Sequence, residues 1–267
     1  MRYVSLHRHV RLTCRRPSVF PYNHPGCFAI ASCIRFGYHY GATALAQQCI
    51  AYLCQYFPST YDEYDALTSF VPPFFEPIHA ISVINLARLT GTHSLLPAAI
   101  IACSYNLSNA NILAGVHWPD GTHDVLTPSD LALCLSAKLT LAHASLRRLA
   151  FRCYPAASHT CKRPRECIAA LQMMLGSAIR TPLKAAIPYP FYPWKPAQTD
   201  LWGLCAQCLC AVRTRDIEET RRIWGALPGM LGLEPIPGWG TAQPSGQQTV
   251  DAVKVENSRG SLDALMC

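Results

Sequence analysis

Residues 127–149 read TPSDLALCLSAKLTLAHASLRRL, and this run decides the fold class. Thr127 suits a helix cap, because its hydroxyl can accept from one of the first unpaired backbone N–H groups. Pro128 falls at the first helical position, where its missing N–H does no harm, and Asp130 takes the capping-box position. Behind that start, Leu131, Leu135, Leu139, Ala142, Leu146 and Leu149 recur at three- and four-residue steps. The spacing predicts a long helix with these residues on one face.

Upstream, the same periodicity returns. From Cys27 the pattern Phe28, Ala31, Ile34, Arg35 leads to Tyr38, and Leu45, Cys49, Tyr52, Leu53 and Tyr56 follow. Gly41 separates two helices of a hairpin, and Pro58 stops the second. Ser59–Glu76 reads as turn-rich, with Asp62, Glu63 and Asp65 in a solvated bend. Ile78, Ile81, Ile84, Asn85 and Leu89 form a helical stripe ending at Gly91. A further helix opens at His93 or Ser94 with Pro97 in its first turn, and a short one spans 108–115. Pro119-Asp120-Gly121 marks a turn.

Downstream, residues 153–166 read as a loop and Cys167–Ile179 as a helix. Pro182–Pro196 is expected to be an extended connector. A last long helix is expected to be capped by Thr199 or Asp200 and to carry Leu201, Leu204, Cys208, Val212 and Ile223 to Trp224 and Leu227. The fold class is therefore mainly α, an irregular multi-helix bundle with long Pro-rich connectors. Residues 1–26 are expected to be an irregular basic segment, 27–239 a helical domain with a sub-division near 155, and 240–267 a disordered tail.

Composition narrows the class further. Half of the residues are hydrophobic and 15% are charged, which excludes global disorder and leaves a surface poor in charge. No apolar run approaches the roughly 20 residues that span a bilayer. The net charge of +7 is uneven: residues 1–61 hold six Arg and no carboxylate. Such a start suits a solvated leader, a transit peptide or a nucleic-acid arm. It has no apolar core of a secretory signal. Cys33, Cys49, Cys54, Cys103 and Cys134 fall inside apolar helices, where free Cys acts as a small hydrophobe. The expected compartment is reducing and intracellular, cytoplasmic or nuclear.

Several segments, taken in order, resemble the helical C-terminal region of fungal (basidiomycete-type) BTB/POZ-domain proteins. They are Ala31-Ser32-Cys33-Ile34-Arg35-Phe36-Gly37-Tyr38-His39-Tyr40, Tyr56-Phe57-Pro58-Ser59-Thr60, Val83-Ile84-Asn85-Leu86-Ala87-Arg88 and Leu95-Leu96-Pro97-Ala98-Ala99. The series continues with Pro119-Asp120-Gly121, Leu126–Leu131, Leu204-Cys205-Ala206-Gln207-Cys208, Arg221–Pro228 and Leu231-Gly232-Leu233. The resemblance spans about residues 28–239. In that family a BTB fold precedes the first matching helix. Here residues 1–26 stand in its place, so the BTB fold is expected to be missing or truncated.

Of the residues that carry chemistry, cysteines form the best constellation. Cys161-x5-Cys167 and Cys205-x2-Cys208 are two pairs, each with a first member near a helix start, and four thiolates in a tetrahedron suit a structural zinc. Cys153, His159 and Cys210 are reserve ligands. The competing account makes Cys205 and Cys208 core residues one helical turn apart, unrelated to the other pair. The resemblance favours zinc, since family members often carry cysteines at these places. His79, His93, His117, His123 and His143 are scattered without ligand spacing, and neither a nucleophile elbow nor a phosphate loop is present. Tyr189-Pro190-Phe191-Tyr192-Pro193-Trp194 suits either a partner surface or a strap packed on the helices. The expected function is a non-enzymatic protein-interaction module, the partner being another protein. The alternative is a nucleic-acid-associated protein using the basic N-terminal segment.

Overall fold

Gly41 sets the first turn of the chain. Its left-handed backbone (φ 71°) ends the helix Cys27–Tyr40 (α1), so that Thr43–Cys54 (α2) folds back against it. Ile30 and Ile34 meet Leu45, Cys49 and Leu53 in the hairpin interior, all of them buried. This computed structural model describes residues 25–67, 71–180, 189–191 and 203–240. The basic segment expected over 1–26 lies outside the described residues up to position 24, and the tail expected over 240–267 lies outside them from 241 on.

Among the described residues there are nine helices and one two-stranded hairpin, a mainly α architecture as expected. The segment read as turns hides a short helix, Tyr61–Asp65 (α3). Thr60 accepts from the Glu63 N–H at 3.3 Å while its hydroxyl donates to Glu63 Oε2 at 2.7 Å. A 3-10 turn at Pro77–His79 leads into Ala80–Thr90 (α4), closed by Gly91. Leu96–Asn106 (α5) starts with Pro97 in its first turn and is buried on every side from Leu96 to Ser104. A helix apolar all round belongs at the centre of a bundle, and α5 packs between α4 and the long helix Pro128–Arg152 (α7). Between them lie Asn109–Ala114 (α6), capped by Ser108, and the strands Val116–His117 (β1) and His123–Asp124 (β2).

The hairpin is held by one carboxylate. Asp124 accepts from the Arg35 guanidinium at 2.6 and 2.7 Å, from Ser82 Oγ at 2.7 Å and from Trp118 Nε1 at 2.9 Å. It thereby ties β2 to α1 and α4. Burial opposes its charge, but the Arg35, Ser82 and Trp118 hydrogen bonds outweigh that and hold its carboxyl below the ordinary aspartate value. Gly115 permits the close approach: a Cβ there would lie 2.3 Å from the Asp124 carbonyl oxygen.

The long helix α7 begins where its sequence says, with Thr127 accepting from the Asp130 N–H at 3.1 Å. Its buried face coincides with the leucine stripe only in part, since Leu131, Leu135 and Leu149 pack half-buried against the two cores. Asp130, Cys134, Ala137, Leu141, Ala144 and Arg148 are buried, whereas Leu139 and Leu146 are 62% and 54% exposed. Small residues here allow close approach to α5, where Ser104 Oγ donates to the Cys134 carbonyl at 3.0 Å. Polar ones are engaged: Asp130 accepts from Arg88 at 2.6 and 3.0 Å. We expect Thr127→Ala to cost about 1 kcal/mol in urea unfolding, the usual worth of such a cap.

Pro164–Arg180 (α8) and Ala206–Met230 (α9) complete the helices. α9 packs along α7. Most buried side chains form one core, while Cys153, Leu171, Met174 and Val212 form a smaller second cluster between the end of α7, α8 and the start of α9. The described part of the Pro-rich connector, residues 189–191, packs as a strap. Tyr189 and Phe191 are buried among Tyr64, Tyr105 and Trp224. Tyr192 and Trp194 lie outside the described residues. No helix among the described residues is long and apolar enough to cross a membrane.

Candidate metal centre

Cys205 is the N-cap of α9, with extended backbone (φ −72°, ψ 161°), and Cys208 lies in the first helical turn. A helix start at Thr199 or Asp200 is thus replaced by one at Ala206; both expected caps lie outside the described residues. Gly203, at φ 72°, turns the chain just ahead of Leu204 and Cys205. The consequence is chemical. A Cys-x-x-Cys at a helix entrance directs both sulfurs toward unpaired backbone N–H groups and the positive end of the dipole.

The second pair is placed by the loop after α7. Cys161 closes a turn through its N–H to the Ser158 carbonyl at 3.0 Å, and Pro164 then starts α8, which puts Cys167 in that helix's first turn. The four sulfurs converge. Cys161 Sγ lies 3.7 Å from Cys167 Sγ and 3.6 Å from Cys205 Sγ, and all four ligand atoms lie within 4.8 Å of one another. Bonds of 2.3 Å at the tetrahedral angle put sulfurs ~3.8 Å apart. The separations are far longer than the ~2.0 Å of a disulfide, and all four cysteines are free. The set could hold a metal ion.

The surroundings match a thiolate cluster. Ser158 N–H donates to Cys208 Sγ at 3.3 Å and Arg163 N–H to Cys161 Sγ at 3.4 Å. Such second-layer donors orient ligands and spread their negative charge. Cys167 and Cys208 are buried, Cys161 and Cys205 half-buried. The thiols of Cys205, Cys208 and Cys167 are pushed in different directions. The Cys208 backbone N–H is the main influence drawing the Cys205 thiol down to about 7. Burial pushes the Cys208 thiol up to about 12 and raises that of Cys167. A cation held here would need Cys167 and Cys208 as thiolates, so filling the site would release protons.

The reserve ligands stay outside the cluster: Cys153 sits in the second core, and His159 and Cys210 line the groove beside it. Among the described residues no other three His, Cys, Asp or Glu side chains come together in this way. His117 and His123 pair across the hairpin, but their rings lie face to face at 3.9 Å. Stacked imidazoles do not direct their in-plane lone pairs at a common ion. The sequence missed two structural carboxylates, Asp124 and Asp216, because their arginine partners lie 89 and 68 residues away.

Compared with protein-family models, with curated proteins and with solved structures, the chain matches none of them.

Proposed function

We propose that the chain is a non-enzymatic helical scaffold of the type that follows the BTB fold in fungal BTB/POZ proteins, stapled by one structural zinc and working through contacts with another protein. The observation that carries this is the convergence of Cys161, Cys167, Cys205 and Cys208 at tetrathiolate spacing. Four protein thiolates saturate tetrahedral zinc and leave no position for water or substrate, which is the pattern of a structural and not a catalytic site. The ligands come from one loop and the first turns of two helices, so the ion fastens α8 to α9. The family assignment draws on the ordered motifs between residues 28 and 239.

Metal analysis of the purified chain tests the zinc. We expect one zinc per chain, and replacement by Co²⁺ to give the visible bands of a tetrahedral, thiolate-bound ion. A metal-free protein that fails to take up Co²⁺ with proton release would overturn the staple.

A further inference from the structure

The loop that supplies Cys161 does a second thing. Together with the end of α7 and the first turns of α9 it walls an open groove of about 820 Å³. One wall is the chain between Cys153 and Cys161, residues Ala156–Thr160; the other is the face of α9 that starts directly after Cys205. Both walls are thus anchored in the four-cysteine knot, and the Ser158 N–H that points at Cys208 Sγ belongs to the groove lining as well.

We propose that this groove is the docking site for an acidic peptide segment of another protein, carrying one apolar anchor residue. Three observations carry the choice. The space exists because Ala156, Ala157, Ala206 and Ala211 are small, and with the exposed aromatic Phe151 they offer an apolar floor for a single large side chain. No carboxylate lines the groove, whereas Arg215 does, its Nη1 donating to the Tyr154 carbonyl at 2.8 Å. Beyond Thr160 the same loop continues as Lys162-Arg163-Pro164-Arg165, all exposed. Glu166 is occupied by Arg163 at 3.0 Å, which leaves Lys162 and Arg165 as exposed cations on the stretch that follows the lining residue Thr160. A zinc tetrathiolate carries two negative charges, but two of its sulfurs, Cys208 Sγ and Cys161 Sγ, accept from the Ser158 and Arg163 N–H groups. An apolar floor of small residues beside cationic side chains suits an apolar anchor flanked by carboxylates. A nucleic acid would ask for a row of aromatic faces along a continuous basic track, and the lining sets Phe151, Tyr154 and His159 beside a single arginine, Arg215, and no lysine.

This assignment rests on the scaffold function proposed above and names the chemistry of its partner. The experiment selects random twelve-residue peptides displayed on phage against the full chain, then measures the consensus peptide by fluorescence anisotropy. We expect enrichment of sequences pairing Asp or Glu with an aromatic or large aliphatic residue. Ala211→Trp, which fills the groove from the surface of α9, is expected to weaken the consensus peptide by about tenfold or more, an effect of hot-spot size. Lys162→Glu with Arg165→Glu is expected to weaken it by a similar factor, more at low salt. No enrichment, neutral consensus sequences, or binding indifferent to Ala211→Trp would each overturn the proposal. So would preferential binding of oligo(dT), or sedimentation showing that a second copy of the chain occupies the groove. Metal content read on the same samples separates the two claims. Zinc with no selected peptide sinks the groove alone, and a selected peptide with no zinc sinks the staple alone.

Discussion

Cys208→Ser is expected to yield protein without zinc in which α8 has come away while the central core stays folded. The reason is the unequal size of the two cores. α8 buries Leu171 and Met174 in the small cluster with Cys153 and Val212, and each such side chain is worth about 1.5–3 kcal/mol. That is too little to fix a seventeen-residue helix and its flanking loop, whose backbone costs about 1–2 kcal/mol per residue to order. A structural zinc supplies apparent binding energies of about 10–16 kcal/mol in small zinc domains. The central core depends on none of this, because α5 is surrounded by α4 and α7. Hydrogen exchange distinguishes the outcomes. Amides of residues 164–177 should lose protection in Cys208→Ser and in chelator-treated protein, while those of 96–106 keep theirs. Cys210→Ser, outside the cluster, should change neither. Uniform loss of protection, or none, would show that the four sulfurs do not act as a local staple.

The cysteine set was legible because a cluster of four thiols leaves a mark in spacing and in residue type. Its strongest counter-argument, that Cys205 sits inside a helix, depended on where α9 begins, and Gly203 and Leu204 give a weak signal for that start. The caps at Thr127 and Gly41 were legible for a similar reason: each is a local hydrogen-bonding or backbone requirement met by neighbouring residues. The core face of α7 was not. Periodicity ranks residues by hydropathy, so six leucine and alanine positions outweighed a face of Ala, Cys, Asp and Arg. Helix pairs packed closely through small residues reverse that ranking, and a buried ion pair reverses it further. Asp124 was hidden because it serves a hairpin of two residues per strand, too short for any alternation.

The buried pair on α7 and α9 carries the second large effect. Arg148 Nε and Nη2 donate to the two carboxylate oxygens of Asp216 at 2.8 and 2.6 Å, with the residues 7% and 4% exposed. Arg148 Nη1 donates to the Pro190 carbonyl at 2.6 Å, so the same guanidinium holds the strap that carries Tyr189 and Phe191. Asp216→Ala takes from the buried Arg148 its carboxylate partner, and the same carboxylate also faces Arg152 at 3.6 Å. We expect a loss of 3–5 kcal/mol in urea unfolding, about what uncompensated buried charge costs. For a domain stable by about 5–15 kcal/mol that is a large share. Arg148→Met should be nearly as harmful, since it removes the two short hydrogen bonds to Asp216 and releases Pro190. The double variant Arg148→Met, Asp216→Leu separates charge from strap. If the penalty of each single change is stranded charge, the double should recover much of it, because an apolar pair of similar volume replaces a buried ion pair at little cost. Should the double variant stay as weak as either single one, the Pro190 tether is the larger contribution, and Trp224 fluorescence, which senses Phe191 at 5.2 Å, should shift in every variant that lacks Arg148. A loss below about 1 kcal/mol for Asp216→Ala would mean that water reaches Arg148, which its burial between α7, α9 and the strap argues against.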